Sequence, residues 1–354
     1  MGGLDALRLL AALSVALYHF TSREWSFDPW GTRQHERFPR LAGLSIFGAY
    51  GVDLFFLISG FVIIMTAWNR DVGSFAASRV ARLFPAYWVS VIAATFLFNV
   101  VWRAGSGGGV SLQVFAGNMT MMQSAVGLTS VSGSFWTLWA ELRFYFLVGI
   151  LVATGLNERR LVVFIGAWAP LAGVAQQAGF GFVSELLVAP FSPLFAAGMA
   201  LFLLHRNRKS LLLWLLLLEN LAFALAWTAP YRCEVLNTAT DGIERVTTTT
   251  SAIAIVVCFA FIMVMVLTSF GTKSWPRIAS LAAITYPLYL IHDHWGPWLI
   301  SELHSKVPAY ALVVCVIVLL GLVAYGIHRG IERPLGRRLR RALLAVRARP
   351  GVPG

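Results

Sequence analysis

Leu4–Phe20 reads LDALRLLAALSVALYHF, an apolar run with Asp5 and Arg8 near one end and His19 near the other. At about 100° per residue, the step from Arg8 to His19 returns to nearly the same helical face, roughly 16 Å along the axis. The run is long enough to span a membrane, and ionisable groups at such depth are costly and normally face the protein interior. A guanidinium and an imidazole therefore share one stripe at two depths. Asp5, and the lack of a small-x-small cleavage pattern before Thr21–Arg23, predict that the segment is retained and not removed as a signal peptide.

The whole chain has this character. Of its 354 residues, 58% are hydrophobic and only 12% charged, with mean hydropathy +0.72. A soluble domain carries about twice that charge. The apolar residues come in long runs, which predicts an all-α polytopic membrane protein. Ten spans are expected, near 4–20, 45–67, 79–102, 134–154, 161–178, 186–204, 210–228, 250–270, 278–297 and 308–328. The stretch 111–127 reads as a re-entrant or interfacial helix. No soluble domain is expected after the tenth span. The predicted organisation is a membrane domain over 1–334 and a basic tail over 335–354.

Lys and Arg set the orientation. Eighteen lie in 68–78 with Arg79 and Arg82, in 155–160, 205–209 and 271–277, and in the C-terminal stretch from Arg329 to Arg349; eight lie in the opposite connections. The first set is expected in the cytoplasm, with both termini. This distribution also accounts for the net charge of +12, so the partner expected is the lipid bilayer and not nucleic acid. Cys233, Cys258 and Cys315 are scattered, with neither metal spacing nor a disulfide framework, and no metal is expected. On the opposite side, 21–44 mixes Trp25, Trp30, Arg33, His35, Glu36 and Arg37, which suits either a cover over a polar substrate or an interfacial aromatic belt. The Gly-, Ser- and Met-rich 103–133 suits a mobile flap.

Five stretches place polar groups where a membrane disfavours them. Besides Arg8 and His19, they are GVDLFFLISGFVI (Gly51–Ile63) with Asp53, SRVARLFPAYW (Ser78–Trp88) with Arg79 and Arg82, SFWTLWAELRFYFL (Ser134–Leu147) with Glu141 and Arg143, and ITYPLYLIHDHWG (Ile284–Gly296) with Tyr286, Tyr289, His292, Asp293 and His294. Arg79 and Arg82 are one helical turn apart, so both guanidinium groups share a face. Pro85 follows, able to free backbone groups. This pattern suits a phosphate clamp. His19, with an ordinary pKa near 6.5, suits general-base work on a hydroxyl. A phosphate-bearing donor held inside and a proton acceptor outside describe group transfer across a membrane.

These stretches, with RVARLFPAYW, FWTLWAELRFYF, ITYPLYLIH and the ERP of Glu332–Pro334, resemble the acyltransferase family 3 of integral-membrane acyltransferases over nearly the whole chain. The resemblance implies transfer of an acyl group, often acetyl, from cytosolic acyl-coenzyme A to a hydroxyl. The acceptor class implied is a carbohydrate, a glycolipid or a secreted small molecule at the cell (cytoplasmic) membrane. Carried over by position, the family's histidine is His19, its motif arginine Arg8, its inner arginines Arg79 and Arg82, and its acidic residue Glu141. The mechanism expected has Arg79 and Arg82 hold the donor's phosphates, Arg8 bind the donor arm or keep the first span in register, His19 act as base or transient acyl carrier, and Asp53 or Glu141 orient the imidazole. Tyr286, Tyr289 and His292 are candidate substrate-binding residues, and His292 and His294 are the alternative bases. A transporter or flippase for a lipid-linked sugar or small metabolite is the rival reading, because charges at depth suit it equally.

Overall fold

The computed structural model describes residues 2–103, 109–242, 246–271 and 275–347, and every regular element among them is helical. The long helices are α1 (Gly2–Thr21), α2 (Gly51–Ala67), α3 (Val72–Phe96), α4 (Trp136–Ala153), α5 (Glu158–Gln177), α6 (Ser192–Arg206), α7 (Leu211–Phe223), α8 (Ala229–Ala239), α9 (Thr248–Leu267), α10 (Thr285–Leu303), α11 (Ala309–Ile327) and α12 (Arg333–Arg347).

Among the described residues, seven helical segments are long and apolar enough to cross a membrane: Gly2–Thr21, Ala42–Ala67, Val72–Val101, Gly133–Ala153, Leu211–Ala239, Thr248–Leu267 and Ala309–Ala345. The other three expected spans are helices that fall short for visible reasons. α5 begins Glu158, Arg159, Arg160 and ends on two glutamines. α6 has only 15 residues. α10 carries His292, Asp293 and His294. The expected tail begins inside α12, which continues α11 through a π-helical turn and packs along α3. Residues 348–354 of that tail, and Lys273 in the 271–277 connection, lie outside the described residues.

Packing centres on α2 and α6. α6 is buried from Ser192 to Leu204, as a helix apolar on every face must be. The two helices meet through glycines. A Cβ on Gly60 would stand 2.1 Å from the Phe195 carbonyl oxygen, and one on Gly198 would stand 2.1 Å from that of Leu57. In lipid, such close backbone approach supplies the packing that water-driven burial supplies elsewhere. Beside this pair, α1, α3, α4 and α10 enclose a space that α2 closes on the remaining side.

The 109–133 connection is fastened rather than loose. It forms a short helix, Leu112–Met119, against α3, where Trp88 donates to the Met119 carbonyl at 3.0 Å. Buried Asn118 donates to the carbonyls of Val114 and Thr129 and accepts from the Val131 amide. Residues 21–44 fold over the His19 end of α1. Trp30 is 2% exposed and donates to the Phe20 carbonyl at 2.8 Å. A belt tryptophan would face lipid, so Trp30 belongs to a cover.

Gly198→Ala and Gly60→Ala should each lower the thermal midpoint in detergent, with overpacking costing about 1–3 kcal/mol. Gly321→Ala, whose added Cβ meets nothing within 4 Å, should leave the midpoint unchanged.

Candidate active site

A cavity of about 150 Å³ lies between α1, α2, α3, α4 and α10. Arg8, Arg79 and Arg82 line it, with Glu141, Tyr286 and Tyr289. The sequence thus placed six residues from four helices that the fold brings to one cavity. The i, i+3 spacing on α3 does turn both arginines towards it. Arg79 stacks its guanidinium near the rings of Phe75 and Tyr145, at 5.9 and 5.8 Å. Arg82 lies 5.3 Å from the Tyr286 ring centroid and pairs with Glu332. Glu141 accepts from Ser59 and Tyr145, and Arg143, two residues on, pairs with Glu185 at 2.8 Å instead. Tyr289 meets Thr137 through its hydroxyl at 2.9 Å, and its ring lies 5.4 Å from that of His292.

Beyond Tyr289 the structure joins two residues 273 apart in sequence. His19 Nδ1 and His292 Nε2 are 2.7 Å apart. His292 Nδ1 lies 2.7 Å from the Tyr289 carbonyl oxygen. A carbonyl only accepts, so His292 Nδ1 carries a hydrogen and, in the neutral ring, Nε2 accepts. His19 Nδ1 must then donate to it, which leaves His19 Nε2 as a free lone pair. The backbone of Tyr289 thereby selects the tautomer of His19 through His292.

The carboxylate beside this lone pair is Asp293, where Asp53 or Glu141 was expected. Asp293 Oδ1 stands 3.8 Å from His19 Nε2 and 3.1 Å from Arg23 Nη1. Its Oδ2 accepts from Ser132 Oγ at 3.0 Å and from the Ser134 amide at 2.7 Å. Trp25 donates to the His19 carbonyl at 3.0 Å and stacks with Arg23 at 4.4 Å, so it too belongs to the cover and not to a belt. His294 is buried, with neither ring nitrogen in a hydrogen bond among the described residues.

Asp53 lies apart from both clusters. Its Oδ2 is 3.1 Å from Arg232 Nε, both side chains are almost wholly buried, and Arg232 also donates to the Ala49 carbonyl at 2.7 Å. Asp53 therefore neutralises a cation within the bundle, tying α2 to α8.

The family of the chain follows from comparison with known proteins: the acyltransferase domain family matches residues 1–327. This chain belongs to the acyltransferase 3 family. It is 28% identical over 179 residues to an O-acetyl transferase of Shigella phage Sf6, covering 48% of this chain and 51% of that protein. It is 29% identical over 149 residues to the acyltransferase MdmB of Streptomyces mycarofaciens, covering 40% of this chain and 36% of that protein. The chain thus aligns with about half or less of each relative's length. No solved structure matches it. With its membrane-length helices, this acyltransferase 3 chain is a multi-pass membrane protein.

In this acyltransferase 3 chain, sequence reading assigned no role to Asp293, Arg23, Ser132, Arg232 or Glu332. Asp293 had a signal, being an acid inside an apolar helix between two histidines. Ser132 and Arg23 had none, because both are loop residues of ordinary polarity.

Asp53→Asn should destabilise the protein by about 3–5 kcal/mol, the cost of stranding Arg232 as an uncompensated buried charge. Combining it with Arg232→Met should restore most of the thermal midpoint in detergent. A single variant as stable as wild type would show that the pair carries no such charge.

Proposed function

We propose that this protein is a membrane O-acyltransferase that moves an acyl group, typically acetyl, from acyl-coenzyme A to a hydroxyl of a carbohydrate or related acceptor. The observation that carries the reading is the chain from the Tyr289 carbonyl through His292 to His19, which leaves His19 Nε2 basic beside Asp293. The family match and the phage O-acetyl transferase relative support the reaction class. In this reading Arg79 and Arg82, which line the cavity, receive the donor's phosphates, and the thioester lies on the side of Tyr289, whose ring is 5.4 Å from that of His292.

His19 Nε2 takes the proton of the acceptor hydroxyl as its oxygen attacks the thioester carbonyl. The imidazolium formed sits between Asp293 and His292, so the new charge meets a carboxylate already in place. Collapse of the tetrahedral adduct breaks the C–S bond, and the proton on His19 passes to the departing thiolate. Asp293 stays ionised throughout, held by Arg23, Ser132 and the Ser134 amide.

His19→Ala should cut thiol release from acetyl-coenzyme A by about 10²–10⁴-fold in purified protein supplied with sugar acceptors. Asp293→Asn should lower kcat more than it raises the donor KM, because its charge acts on the imidazolium formed during reaction. Near-normal turnover in His19→Ala would remove the base assignment. A folded wild type that releases no thiol from acetyl-coenzyme A would favour the transport reading.

The proposed orientation puts Arg79, Arg82 and the 205–209 loop in the cytosol. A cysteine introduced at Asn207 should resist an impermeant thiol reagent applied to intact cells, while one at Asp241 should react. The reverse pattern would place the donor site on the wrong side.

A further inference from the structure

Arg82 differs from the other cavity arginines in its partner. Its guanidinium meets the carboxylate of Glu332, whose side chain is only 5% exposed. The second oxygen of Glu332 lies 3.0 Å from His328 Nδ1. Both oxygens are thus committed to basic groups. The Tyr286 ring supports Arg82 from another direction, and the Tyr286 hydroxyl is itself tied to the Leu83 carbonyl at 2.9 Å. One guanidinium nitrogen is engaged by Glu332, which leaves the rest of the rigid donor fork for the cavity.

The fold brings Glu332 here by a specific device. Proline at position 85 has no N–H, so the Ala81 carbonyl lacks its usual partner within α3. α12 approaches at this point so closely that a Cβ on Gly336 would stand 2.6 Å from that carbonyl oxygen. The π-helical turn His328–Glu332 precedes this contact and sets Glu332 beside the turn of α3 that carries Arg82.

We infer that Glu332 is a positioning residue for the donor: it presets Arg82 to receive the phosphates of coenzyme A. This rests on the donor reading above. A buried carboxylate that lost Arg82 would keep only His328, a costly arrangement, so the pair persists when the donor binds. Glu332 therefore acts as a backstop and not as a competitor for the phosphate. Fixing the fork beforehand spares the ordering that binding would otherwise require.

The test is calorimetric titration of coenzyme A into the full chain purified in detergent. Glu332→Gln should weaken binding roughly tenfold, the scale of one charge-assisted contact. Combined with Arg82→Gln, it should cause no further loss, whereas combined with Arg79→Gln the two losses should multiply. A general loosening of the bundle would not distinguish the two arginines. Should Glu332→Gln fail to fold, Glu332→Asp, which keeps the charge but shortens its reach, should show a smaller loss with the same dependence on Arg82. Equal affinity in wild type and the Glu332 variants overturns the inference and leaves the donor reading intact. Tighter binding in Glu332→Gln overturns it and makes Glu332 a competitor. Wild type that binds no coenzyme A overturns the donor reading and this inference together.

Discussion

The contact between His19 and His292 is the constraint on which the rest of this site depends. Two imidazoles at 2.7 Å must divide one hydrogen between them, and the Tyr289 carbonyl decides how. The bond joins α1 to α10, so the register of those helices is also the register of the proposed chemistry. Trp25 bonds the His19 carbonyl, and Ser132 and Ser134 hold Asp293, so the cover and the 109–133 connection are tied to the same pair. These connections behave as parts of the site because an apolar surrounding offers their polar groups no other partner.

The same rule acts on cations elsewhere in the bundle. Arg82 has Glu332, Arg143 has Glu185 and Arg232 has Asp53. Arg79 is flanked by aromatic rings. The cavity is therefore basic without carrying the full repulsion of unscreened arginines. Asp53 shows how position misleads: it lies near the start of α2, yet its charge is consumed by Arg232.

Much of the helical architecture and one side of the site were legible because they follow from local periodicity. Arg8 and His19 share a stripe on one helix, and Arg79 and Arg82 share a face one turn apart. Both statements need only the 3.6-residue repeat. Glu141, Tyr286 and Tyr289 were legible as polar groups in apolar helices. The cover over His19 was only half legible, because tryptophans beside arginines read equally well as a belt.

By itself, then, the sequence determined the helical class, roughly where the long helices fall and which side chains are too costly to leave in lipid. Only the tertiary structure decided the pairings. His19 meets His292 across 273 residues, Asp293 rather than Asp53 or Glu141 stands beside it, and Glu332 returns from beyond α11 to meet Arg82. A helical repeat says which residues share a face of one helix. Which faces meet depends on how closely the helices approach, and that is set by contacts such as Gly60 with Gly198 and Gly336 with Ala81, which no periodicity records.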